Sequence, residues 1–139
     1  MQLASLVAVL AAALSVSAHF TLTTPPTRGF DELVEDVGPC GGFDTPSATR
    51  AVFSSSSNIT VRFADSKGSA SVKLAVGEAP AAFPITLGSV ELRKRGVYNL
   101  PFDLSAVDVS NNGASATIQI SISSSHGTLF QCSDVVLAL

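Results

Sequence analysis

The segment Ala116-Thr117-Ile118-Gln119-Ile120-Ser121-Ile122 sets three isoleucines two residues apart, with small or polar side chains between them. Side chains alternate faces along a strand, so this run predicts a half-buried strand. A helix would scatter the same isoleucines around its circumference. Weaker alternating runs recur: His19-Phe20-Thr21-Leu22-Thr23, Ile59-Thr60-Val61-Arg62-Phe63, and Ala70 to Val76 with Val72, Leu74 and Val76 on one face. Thr128 to Gln131 and Val135 to Leu137 complete the set. Turn chemistry lies between the runs: Asp65-Ser66-Lys67-Gly68, Asn112-Gly113, and Ser123 to Gly127, the last read as a hairpin loop. Short strands and polar turns predict an all-β fold, a small immunoglobulin-like antiparallel β-sandwich.

Residues 25–48 break the pattern. They hold Pro25, Pro26, Pro39 and Pro46 and the acids Asp31, Glu32, Glu35 and Asp36. They read as a long N-terminal loop anchored at Cys40, of a length that is uncommon unless functional or pinned. The acids lack the spacing of a calcium loop and read as a solvated acidic face.

Composition removes several function classes. Lys plus Arg is 8 against 11 for Asp plus Glu, for a net charge of −3. Arg93-Lys94-Arg95 is the longest basic run and reads as an exposed edge or turn. That is too little positive surface for a nucleic-acid partner. Hydrophobic residues make up 46% and charged residues 14%, which excludes disorder. Two Cys and two His are too few for a zinc finger or an iron–sulfur centre. There is no nucleophile elbow or phosphate-binding loop, and two histidines offer no credible hydrolytic triad.

Met1 to Ala18 carry no charge and are almost continuously apolar up to Leu14. The stretch falls short of the roughly 20 residues of a membrane span. It ends in Val16-Ser17-Ala18, the small-residue pattern of a secretory cleavage site. Residues 1–18 are therefore expected to be a signal peptide, and residues 19–139 one secreted domain. No transmembrane segment and no lipid-anchor tail is read in the mature chain. Cys40 and Cys132 are the only cysteines, and one bridge uses both. Asn58-Ile59-Thr60 is an N-glycosylation sequon, so Asn58 is a candidate glycan site.

Cleavage after Ala18 makes His19 the first residue. Its free α-amine and its imidazole Nδ1 can then close a chelate ring on one metal ion. The amine titrates near 7.7–8.0, roughly, so a metal displaces its proton easily at neutral pH. Nitrogen donors in a tetragonal array suit Cu(II), which heads the divalent affinity order.

Three stretches carry a resemblance: His19-Phe20-Thr21-Leu22, then Pro25-Pro26-Thr27-Arg28-Gly29-Phe30, then Gly38-Pro39-Cys40-Gly41-Gly42. At the other end stand Ala116-Thr117-Ile118-Gln119 and Leu129-Phe130-Gln131-Cys132-Ser133-Asp134. The chain is similar to the fungal copper acquisition factor family, relatives of the lytic polysaccharide monooxygenases that bind copper without oxidative cleavage. The resemblance implies an immunoglobulin-like sandwich, a Cys40–Cys132 disulfide and one Cu(II) ion. It implies as ligands the N-terminal His, a second His and an Asp, of which His19 matches the first and Asp134 the last.

The second His is missing from Phe63-Ala64-Asp65-Ser66-Lys67, where the family carries it. Asp65 is the candidate substitute ligand. Its alternative is a turn residue bonded to its own backbone. His126 stands eight residues before Asp134, roughly 20–26 Å along an extended strand, and reads as a solvated loop residue. Asp134 has an alternative too, an ion pair with Arg28 or Arg50.

The expected function is a secreted copper-binding protein, not an enzyme. It would capture copper and pass it on at the cell surface, with a copper transporter there as partner. One alternative is a metal-free cell-wall or interaction module. Another is a lytic polysaccharide monooxygenase, which needs two imidazoles and a flat aromatic face. This chain has no Trp and a single Tyr, Tyr98.

Overall fold

The computed structural model describes residues 19–139, and the expected signal peptide lies outside the described residues. Eight strands form two sheets: β1 (Phe20–Thr24), β2 (Ala51–Phe53), β3 (Thr60–Phe63), β4 (Gly68–Val76), β5 (Ile85–Leu92), β6 (Gly96–Asn99), β7 (Ser115–Ser124) and β8 (Gly127–Leu137). One sheet has the order β1-β3-β6 and the other β2-β8-β7-β4-β5. The result is an open, immunoglobulin-like sandwich. Two single-turn 3-10 helices, Leu104–Ala106 and Val109–Asn111, follow β6. Asp103 and Asp108 cap them by accepting from the N–H of Ser105 and Ser110.

The core is the alternation read from sequence. Ile118, Ile120 and Ile122 of β7 and Val72 and Leu74 of β4 face Phe20 and Leu22 of β1 and Val61 and Phe63 of β3, all buried. Each such side chain withdrawn from water contributes about 1.5–3 kcal/mol before the entropy of ordering is charged against it. The two segments read around residues 128–137 are one strand, continuous from Gly127 to Leu137. Arg93-Lys94-Arg95 forms the exposed bend between β5 and β6.

One pairing departs from an all-antiparallel sandwich. β2 lies parallel to β8, with Ala51 opposite Val135 and Phe53 opposite Leu137. A parallel pair needs a long connection, and residues 54–126 with five other strands separate these two. β2 covers only the C-terminal end of β8. Beside the rest of that edge the loop before β2 serves as partner: Phe130 N–H donates to Glu35 O at 2.8 Å, and Arg28 N–H to Cys132 O at 2.7 Å.

Residues 25–50 contain no strand or helix. They are pinned to β8 by the Cys40–Cys132 disulfide. Gly41 makes the approach feasible: its φ is +64°, and a Cβ there would collide with the carbonyl oxygen of Phe130. The loop thus covers the outer face of β7 and β8, where Thr117, Gln119, Cys132 and Asp134 point. Gln119 Nε2 donates to Pro39 O at 2.9 Å.

Candidate metal centre

His19 leads directly into β1, where Phe20 pairs with Phe63, and its carbonyl accepts from Ala64 N–H at 3.0 Å. Its side chain is about one-quarter exposed, 24%. The imidazole Nδ1 lies 2.9 Å from Glu35 Oε2. Nε2 lies 3.8 Å from Oε2 of the exposed Glu32. Phe30 stands edge-on to the ring, with centroids 6.3 Å apart.

Glu35 is the residue that sequence reading misplaced. Among the acids of the loop, read as solvated, it is 1% exposed. Its Oε1 accepts from Phe20 N–H at 3.3 Å and from Gln131 Nε2 at 3.0 Å. Its Oε2 faces His19. Burial pushes its carboxyl above the usual 4.5, and the hydrogen bonds from Gln131, Phe20 and His19 offset only part of that.

Gln131 organises this corner. Its Oε1 accepts from Leu22 N–H at 3.0 Å and Thr27 Oγ1 at 3.2 Å, and its Nε2 also donates to Phe20 O. The amide therefore ties β1 and the loop to β8. A sequence signal for the pair did exist. Gln131 belongs to the inward row Leu129, Gln131, Val135, Leu137 of β8, and a buried amide in that row requires partners. Glu35 lies five residues before a half-cystine whose bridge ends at Gln131's neighbour.

Asp134 has a different set of partners from the one the resemblance implies. Arg28 grips it with two bonds, Nε to Oδ2 at 3.0 Å and Nη2 to Oδ1 at 2.6 Å. Ser47 N–H donates to Oδ2 at 2.7 Å, and Thr117 Oγ1 to Oδ1 at 2.8 Å. Arg50 Nη1 stands 4.0 Å away. Burial opposes the charge of this carboxylate. The hydrogen bonds from Arg28, Ser47 and Thr117 and the guanidinium's charge outweigh burial and hold its pKa at about 2. The ion pair with Arg28, the alternative drawn from sequence, is what the geometry contains.

Asp65 combines its turn role with another bond. Oδ1 accepts from Ser66 N–H at 2.6 Å, and Oδ2 lies 2.9 Å from His126 Nδ1. Burial opposes its charge too, but the bonds from His126, Ser66 and Ser124 leave its carboxyl below 3.8. His126, read as a free loop residue, thus pins the tip of the β7–β8 hairpin to the β3–β4 turn.

Among the described residues, the carboxylates within 4 Å of the His19 ring are therefore Glu32 and Glu35, with neither Asp134 nor Asp65 among them. Among the same residues no three His, Cys, Asp or Glu side chains converge on one point. The main-chain nitrogen adjacent to the ring is that of His19 itself, which is a free amine only in a chain cut after Ala18. Asn58 is exposed in the loop between β2 and β3, and Thr60 of its sequon donates from Oγ1 to Asn99 at 2.8 Å.

A sequence model of the BIM1-like copper acquisition factor domain matches residues 17–138. Two proteins of Cryptococcus neoformans named copper acquisition factor BIM1 are similar over 132 residues. One, from var. grubii serotype A, is 28% identical, and the other, from var. neoformans serotype D, is 27% identical. The alignments cover 86% of this chain and 60% of each relative, so the chain spans about three-fifths of their length. With a family match across the whole sandwich, the chain belongs to the BIM1-like copper acquisition factor family.

Proposed function

We propose that this protein is exported, loses residues 1–18, and captures one Cu(II) ion through the α-amine and Nδ1 of His19. Copper is the cargo, to be handed on at the cell surface to a transporter. The observation that carries the reading is the place of His19. It stands at the start of the domain that the family match covers, partly open to solvent, with its Nδ1 beside a buried carboxylate. Amine nitrogen, imidazole nitrogen and carboxylate oxygen form a donor set that suits Cu(II). Partial exposure favours transfer, since an incoming ligand can reach the ion before the outgoing ones leave. The role is binding rather than catalysis.

The test uses two proteins, one beginning at His19 and one with a single extra residue ahead of it. Cu(II) titration followed by electron paramagnetic resonance is expected to show tight, stoichiometric binding only in the first. Equal binding by both would sink the reading. A metal-free interaction module is the second reading, favoured by the absence of three converging side chains among the described residues. It predicts no copper signal in protein with a verified His19 terminus.

A further inference from the structure

We propose that Glu35 supplies the carboxylate ligand of the His19 copper site, through Oε2, an inference that rests on the chelate reading above. Two donor atoms at about 2.0–2.1 Å from one ion, in adjacent positions of a square arrangement, lie roughly 2.9 Å apart. His19 Nδ1 and Glu35 Oε2 are 2.9 Å apart. The pair thus has the separation of two neighbouring ligands, and binding turns the imidazole so that its Nδ1 lone pair points at the ion instead of along the hydrogen bond to Oε2.

The two oxygens of Glu35 are unequally engaged. Oε1 is held by the Gln131 amide and the Phe20 N–H, while Oε2 has His19 as its one hydrogen-bond partner among the described residues. When metal binding at Nδ1 replaces this hydrogen bond, Oε2 is left with a free lone pair. Oε1 stays anchored by Phe20 N–H and Gln131 Nε2, so the adjustment is small and falls mainly on the imidazole. Burial strengthens the bond, because little water competes for Oε2 and the carboxylate offsets part of the ion's charge.

The other acids are unsuited. Both oxygens of Asp134 serve Arg28, whose permanent positive charge would repel a second cation. Asp65 is committed to Ser66 and His126. Glu32 faces Nε2, the nitrogen on the far side of the ring from an amine–Nδ1 chelate.

The experiment uses the full domain processed at His19, with Cu(II) alone as probe. Affinity is read by competition with a chromogenic chelator, and coordination by electron paramagnetic resonance. Glu35→Gln keeps the size and removes the anionic donor. It is expected to weaken binding about 10- to 100-fold or more and to shift the copper g and hyperfine values. Glu35→Asp keeps the charge and retreats by one methylene, so its affinity should fall between the two; it also guards against a folding defect in the first variant. Asp134→Asn, confirmed folded by circular dichroism, should keep the wild-type copper spectrum. Unchanged affinity and spectrum in Glu35→Gln, with copper still lost when His19 is preceded by an extra residue, would overturn the Glu35 assignment and leave the chelate standing. Equal binding by the extended protein would overturn both. A copper spectrum altered by Asp134→Asn but not by Glu35→Gln would also overturn the assignment.

Discussion

Two carboxylates lie buried where one loop meets one strand, Glu35 on the loop and Asp134 on β8, and they do opposite work. Asp134 meets a guanidinium, a backbone N–H and a hydroxyl, and its charge is matched by a cation that never deprotonates. Glu35 meets an amide, a backbone N–H and an imidazole whose proton can be exchanged for a metal. The first arrangement is closed, with the Arg28 side chain itself 4% exposed. The second opens to solvent through His19. A buried acid is thus a lock or a ligand according to whether its partner's charge is permanent. The sequence motif that includes Arg28-Gly29-Phe30 and Cys132-Ser133-Asp134 belongs to the lock.

The strongest way to break both regions together is to cut their common tether. The bridged cysteines are 92 residues apart in sequence, and chain-entropy reasoning gives about 4–5 kcal/mol to such a loop as an upper figure. The double variant Cys40→Ser/Cys132→Ser should lower the urea midpoint accordingly. It should also weaken copper binding, because the chain from Glu35 to Cys40 is held on β8 by that bridge.

Arg28→Ala separates the two regions. It leaves Asp134 buried without its cation, which costs about 3–4 kcal/mol in equilibrium denaturation. Copper affinity at His19 should stay within about twofold of wild type in protein that remains folded, since no bond at Glu35 or Gln131 is lost. Loss of copper binding at unchanged stability would erase the distinction between the two acids.

Acid sharpens the same point. Asp134 has a folded pKa of about 2 against an ordinary 3.8. The unfolded chain takes up this proton more readily, so the contribution is fully present above about pH 4 and is lost as the pH falls through about 2. The difference corresponds to about 2–3 kcal/mol. Denaturation midpoints followed from pH 5 to pH 2 should fall for wild type. The fall should be shallower in Asp134→Asn, which lacks the titrating group.

The interior strands were legible because their two faces differ: Ile118, Ile120 and Ile122 point to the core while Thr117 and Gln119 meet the loop. β2, β5 and β6 were not, and all three are sheet edges; the fourth edge, β1, was legible because Phe20 and Leu22 both face the core. β6 has no buried residue, and β5 buries only Leu87 and Leu92 while Gly88 interrupts it. An edge strand gains little from alternation, so little is written into it. The site was half legible. His19 stands out because export would give it a second donor. Glu35 looked like any loop acid, since its burial depends on a disulfide and on Gln131, both remote in sequence. The link from His126 to Asp65 was hidden for the same reason: the register of β7, β8 and β4 sets it, and distance along β8 does not.

That link gives the smallest effect and a check on where the metal region ends. His126 is 46% exposed at its side chain, so its pairing with Asp65 is screened by water, and His126→Ala should cost under about 1 kcal/mol. The loss should be localised. Hydrogen exchange should quicken in residues 65–67 and at the 124–127 hairpin tip, and remain unchanged at Phe20 and Leu22, whose N–H groups are held by Glu35 and Gln131. Copper affinity and spectrum should equal wild type, because no bond links His126 to His19 or Glu35. A changed copper spectrum in His126→Ala would show that the hairpin tip reaches the ion, and the boundary between the metal corner and the Asp65 turn would have to be redrawn.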